Sequence, residues 1–213
     1  MAKLDGTVAT LPGLPKTRVS ASFRDIIDHT DFSLMLAGDA RYRRVGFLAD
    51  VMYLDISAKD NTPGPLFGGV DFKTQTFVST LTPYYRVIER ERSAVDLLAG
   101  ARIWSIYTKL DLKPGLALGR KDTNRESWVD PVIGIRGSAR LLDKLSMTLA
   151  GDIGGFGAAS DLTWQVLVSL DYAPREWIAI RAGYRHLNVD YSDGGFKWAV
   201  GMDGPILGAS LRF

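Results

Sequence analysis

The stretch from Asp161 to Tyr172 alternates residue by residue. Trp164, Val166, Val168, Leu170 and Tyr172 fall on one face, and Thr163, Gln165, Leu167, Ser169 and Asp171 on the other. Only a β-strand places residues two apart on one face. The apolar face opens with Trp164, closes with Tyr172 and is aliphatic between them. A strand crossing a bilayer needs this layout: an apolar height of roughly 25 Å with aromatic rings at both interfaces.

The same grammar recurs along the chain. Leu145, Met147, Leu149 and Ile153 oppose Ser146, Thr148, Ala150 and Asp152. Ile133, Ile135, Ala139 and Leu141 oppose Asp130, Arg136, Ser138 and Arg140. Phe47, Ala49, Val51 and Tyr53 oppose Gly46, Leu48 and Asp50, and Ile178, Ile180, Ala182 and Tyr184 oppose Arg181, Gly183 and Arg185. Leu97, Ala99, Ala101, Ile103 and Tyr107 oppose Asp96, Gly100 and Arg102, but Trp104 and Ile106 break that pattern. The one short helical candidate is Ser22–Asp28, so the chain reads as all-β.

Composition agrees with this class and removes others. The 213 residues fit one domain. A net charge of +2 without a clustered basic excess argues against a nucleic-acid partner. Zero cysteines exclude disulfides, thiolate metal sites and a thiol nucleophile, and two histidines make a metal centre unexpected. Mean hydropathy is +0.00, and no run of about 20 apolar residues exists for a spanning helix. Alternating barrel strands average to that value.

The breaks between strands alternate in length. Those after Arg41, at 89–93, at 142–144 and at 173–176 are short; 58–69 and 113–126 are long, and 157–160 and 192–195 intermediate. Short turns at one end and longer loops at the other are the asymmetry of outer-membrane barrels. Counting a first strand over 3–10 gives about ten strands (range 8–12), an even number. The expected fold is an up-and-down antiparallel transmembrane β-barrel, one domain over 1–213. Residues 11–30 form an outer loop that plugs or caps it. Leu207, Ala209, Leu211 and Phe213 share the last apolar face. Met1-Ala2-Lys3 does not open a signal peptide, so a clipped first strand is expected.

With these residues, and with the runs from Ala40-Arg41 to Asp50–Asp55, Ala99–Arg102, Ala182–Arg185 and Gly204–Phe213, the sequence resembles the small outer-membrane β-barrel proteins of Gram-negative bacteria, the broad porin-like class. The resemblance implies a bacterial outer-membrane location, contact with outer-membrane lipid and lipopolysaccharide, and delivery by the barrel-assembly machinery, with Phe213 as part of a C-terminal signal. It implies lipid-interface positions for Phe47, Tyr53, Tyr107, Trp164, Tyr172, Trp177 and Tyr184. It leaves oligomeric state and solute open.

The polar face then lines the lumen and carries Asp39, Arg41, Asp50, Asp96, Arg102, Asp130, Arg136, Arg140, Asp152, Asp171, Arg181, Arg185 and Arg212. About eight strands leave room only for side chains, so charges in a slightly larger barrel must pair or be wetted. The favoured reading is a structural network of Arg–Asp bridges. A thin anion-favouring channel lined by Arg102, Arg136, Arg140, Arg181 and Arg185 is the alternative. No cofactor and no enzyme activity are expected. Barrel enzymes of this size use a rim histidine, and His186 with Asp190 and Ser192 allows that arrangement but lacks a nucleophile motif. The glycines of 151–157 lack the strand–loop–helix context of a phosphate cradle. A soluble lipocalin-like calyx is the rival from another class, and it requires the apolar face inside.

Overall fold

The computed structural model describes the backbone of residues 3–9, 17–22, 30–60 and 67–211. These form eleven strands in one sheet. They are β1 (Lys3–Ala9), β2 (Thr17–Ser22), β3 (Thr30–Tyr42), β4 (Val45–Asp60), β5 (Phe67–Glu89), β6 (Ser93–Pro114), β7 (Arg120–Leu142), β8 (Leu145–Gly154), β9 (Leu162–Arg175), β10 (Ile178–Asp193) and β11 (Phe196–Leu211). From β3 to β11 each strand pairs antiparallel with the next, an up-and-down meander curled into a half-barrel. β1 pairs antiparallel with β11, and β2 with β1. The stretch 11–30, expected as an outer loop, thus contains a paired strand; the helical candidate at 22–28 lies mostly outside the described residues.

The directions of travel follow from the strand number. Each antiparallel pairing reverses direction, so β3 and β11 run alike, β1 runs opposite, and β2 again runs like β3. β2 and β3 therefore share one direction, as the two edges of an alternating sheet with an odd number of strands must. Among the described residues no pairing joins β2 to β3.

Turn chemistry follows the two ends. β10 and β11 are joined through Gly194 and Gly195, both at positive φ (53° and 93°), as a tight hairpin requires. The β3–β4 turn instead holds Arg43 at φ 54°, a conformation that Gly or Asn adopts at lower cost. The turns β3–β4, β5–β6, β7–β8 and β9–β10 lie at one end of the meander; at the other, the connections 115–119 and 155–161 are longer, while β10–β11 turns in two residues.

The outward face near the short turns is apolar. Phe47, Leu97, Ile133, Ile135, Leu149, Val168, Leu170 and Ile180 are all exposed, Ile133 at 54%. Register makes them a continuous belt, because Leu97 stands opposite Ile135, Ile133 opposite Ile153 and Leu149 opposite Val168. Soluble monomers rarely expose a belt of this extent.

On β5–β7 the polarity inverts farther from the turns. There Gln75, Tyr107 and Arg125 point outward in one row, and Ser105 bonds Ser127 on the exterior (3.0 Å). The inward residues become Val78, Trp104, Ile106 and Trp128, all buried. A bilayer needs only about 9–11 residues of a tilted strand. β5, β6 and β7 have 23, 22 and 23 residues, so their far halves extend past the belt. Trp104 and Ile106 therefore belong to a second regime, with an apolar interior and a wet exterior.

Candidate functional site

The interior is filled in three layers, whose order can be read along β6: Asp96, then Arg102, then Trp104 and Ile106 all face inward. Nearest the short turns, Asp96 is 1% exposed and accepts from two guanidinium groups. Arg86 Nε donates at 2.7 Å, and Arg136 donates through Nε and Nη2 at 3.1 and 2.8 Å. Arg136 also reaches Asp39 on β3 (2.6 Å), whose other oxygen accepts from the Tyr84 hydroxyl (2.7 Å). The Arg136 guanidinium lies over the Tyr84 ring at 4.5 Å. At the rim Arg41 donates to Glu89 (2.8 Å) and holds that carboxyl below the usual range.

A glycine positions this layer. Gly46 stands opposite Tyr84, and a Cβ at Gly46 would collide with the ring. The bare backbone is what lets Tyr84 lie flat and reach Asp39. Gly46→Val is expected to displace the ring and cost about 1–3 kcal/mol in urea unfolding from lipid vesicles.

The middle layer centres on Arg102, which is 0% exposed. It donates to Asp152 (2.8 Å), Thr80 (3.1 Å) and Thr163 (3.1 Å). Gln165 donates to the second Asp152 oxygen (2.6 Å) and accepts from Arg185 (2.7 Å). Arg185 also reaches Asp50 at 2.7 Å. That bond ties β10 to β4, six places apart in the sheet, so the sheet curls far enough for its opposite walls to meet.

The third layer is aromatic. Trp104 stacks on Trp128 (5.6 Å between centroids), Trp128 on Tyr191 (3.9 Å), and Phe196 on Trp198 (6.4 Å). Met52, Val78, Leu187, Val189 and Val200 complete it. The loop after β8 turns inward against this layer. Ser160 donates its backbone N–H and hydroxyl to Asp130 (2.8 and 2.7 Å), and Trp128 Nε1 donates to Ser160 (2.8 Å). Gly155 (φ 86°) and Gly157 (φ 72°) permit the fold-back.

Ten of the predicted lumen residues enter side-chain ion pairs: Asp39, Arg41, Asp50, Asp96, Arg102, Arg136, Asp152, Asp171, Arg181 and Arg185. Asp130 is buried but bonded to Ser160 and Trp128 rather than to an arginine. Arg140 is exposed at the turn end and stands outside the lumen network. Arg212 and Phe213 lie outside the described residues. Sequence reasoning missed Arg86 and Tyr84, and it placed Gln165 on the polar face without naming it in the ion-pair network. It also missed Ser160, whose only sequence signal is its place after a glycine-rich stretch.

The aromatic positions divide. Phe47, Tyr172, Trp177 and Tyr184 are exposed on the outside, Tyr53 packs on Phe32, and Trp164 packs on His186 (4.6 Å). Tyr107 lies beyond the apolar belt with Arg125 over its ring (5.6 Å). His186 faces outward with Nδ1 3.8 Å from Asp203, while Asp190, four residues on, meets Lys197. The rim pairing of His186 with Asp190 that the sequence allows is not made.

No protein-family model matches the chain, and the comparison with curated proteins finds no match. Among solved structures, the chain is similar to the translocator domain of autotransporter NalP from Neisseria meningitidis, at 12% identity and a TM-score of 0.42, over 100% of this chain and 87% of that one.

Proposed function

We propose that the chain is an outer-membrane β-barrel of the closed, structural kind, held in lipid by its apolar belt and braced inside by ion pairs. The observation that carries this reading is the filled interior beneath an apolar exterior: Arg102, Trp104 and Asp130 are fully buried while Ile133 and Leu149 on the outside are more than half exposed. This facing is the reverse of a soluble calyx. Passage of small ions would require the Arg136 and Arg185 clusters to part and the Trp104–Trp128–Tyr191 stack to move. A porin-like role therefore has less support than a structural one. An enzymatic role has less still, since His186 faces outward beside Trp164.

Single-barrel recordings in planar bilayers test this. The expected result is a baseline without sustained openings at low voltage in 1:1 electrolyte. A stable ohmic conductance would favour the porin-like reading.

A further inference from the structure

The short-turn end carries a concentration of cations that the lumen does not use. Its four turns hold eight exposed cations (Arg41, Arg43, Arg44, Arg90, Arg92, Arg140, Lys144 and Arg175) against four carboxylates (Glu89, Glu91, Asp143 and Glu176). Only Arg41 is neutralised, by Glu89. Among the described residues no carboxylate lies within ion-pair distance of the other seven. At the long-loop end Lys113, Arg120 and Lys197 are each paired with an aspartate, while Lys109, Lys121 and Arg125 have no carboxylate within that distance. The short-turn end is the one where unpaired cations outnumber the paired ones.

The backbone gives a second, independent sign. A two-residue hairpin turn with positive φ at its first position alone is most easily made with glycine there. Here Arg43 holds that conformation and is followed by Arg44. A local conformational cost borne by a charged residue is a pointer to use at that position.

The location then selects the ligand. The cations sit at the edge of the exposed apolar belt, beside the exposed rings of Tyr42, Tyr85, Tyr172 and Trp177. With the belt in hydrocarbon, that edge lies at the level of lipid headgroups, where Tyr and Trp collect. Unpaired arginines at this depth face phosphate oxygens, which guanidinium groups bind in a forked geometry. We infer that the short-turn rim is a binding surface for anionic phospholipid headgroups of the leaflet on that side. This rests on the membrane-barrel reading proposed above.

The test uses the full chain refolded into phosphatidylcholine vesicles, with spin-labelled phosphatidylglycerol and spin-labelled phosphatidylcholine compared as probes of the lipid in contact with the protein. The unaltered protein should hold phosphatidylglycerol several-fold more than phosphatidylcholine, and high salt should erase the preference. The combination Arg43→Gly, Arg44→Ser, Arg90→Ser and Arg92→Ser should lower the preference by about fivefold or more. It places glycine at the one position of the 43–44 turn that has positive φ, so its folding is not expected to suffer. Arg120→Ser with Lys121→Ser, at the opposite end, should leave the preference intact. Equal association of the two lipids with the unaltered protein, or full selectivity in the fourfold variant, would overturn the inference while leaving the barrel standing. Failure to insert into vesicles at all would remove the barrel reading and this inference with it.

Discussion

Replacing Asp96 with alanine is expected to destabilise the barrel by about 3–5 kcal/mol, the loss that follows when one partner of a buried ion pair is removed. Asp96 is almost fully buried and receives hydrogen bonds from both Arg86 and Arg136. Its removal leaves two guanidinium groups facing an apolar gap, with only Glu89 and Asp39 still in reach. The measurement is urea unfolding from lipid vesicles, followed by tryptophan fluorescence. Asp96→Asn keeps the shape and one acceptor oxygen but sets an amide NH2 against the second guanidinium, and should fall between alanine and the native residue. A cost for Asp96→Ala within about 0.5 kcal/mol of zero, the range of an ordinary surface site, would mean that the layer is hydrated and its charges independent.

The second large effect is on the outside. Leu149→Lys places an ammonium in the middle of the exposed belt, between Gly137 on β7 and Val168 on β9. Near the bilayer midplane a lysine facing lipid costs about 2–4 kcal/mol. Leu149→Ala removes only apolar contact with lipid and should cost far less. Equal stability of the lysine and alanine variants in vesicles would place Leu149 outside the hydrocarbon. Gain of folding in plain buffer by Leu149→Lys would point the same way.

The facing of the belt was legible in the sequence because alternation has a period of two wherever one side is apolar and outward and the other is polar and inward. β9 shows this from Thr163 to Tyr172, and β8 and β10 follow. The outer halves of β5–β7 were not legible in the same way. Trp104 and Ile106 look like breaks in a pattern, but they mark the height at which the outside changes from apolar to polar and the inside from polar to apolar.

Partner choice in the lumen was also beyond the sequence. Alternation says that Asp50 and Arg185 face inward; that they meet, 135 residues apart, depends on strand stagger and on how far the sheet curls. The same holds for Asp39 and Arg136, 97 residues apart. Local pairs were closer to hand. Arg181 and Asp171 stand directly opposite on β10 and β9, a relation set by one short turn.

The central claim is that the apolar face points out into lipid and the charged face points in. Refolding from urea into detergent micelles, read by gel mobility with and without boiling, tests it most directly. The account predicts a faster-migrating band that boiling abolishes, and β-rich circular dichroism that appears only when detergent is present. Cooperative folding in plain buffer, with identical mobility before and after boiling, would contradict it.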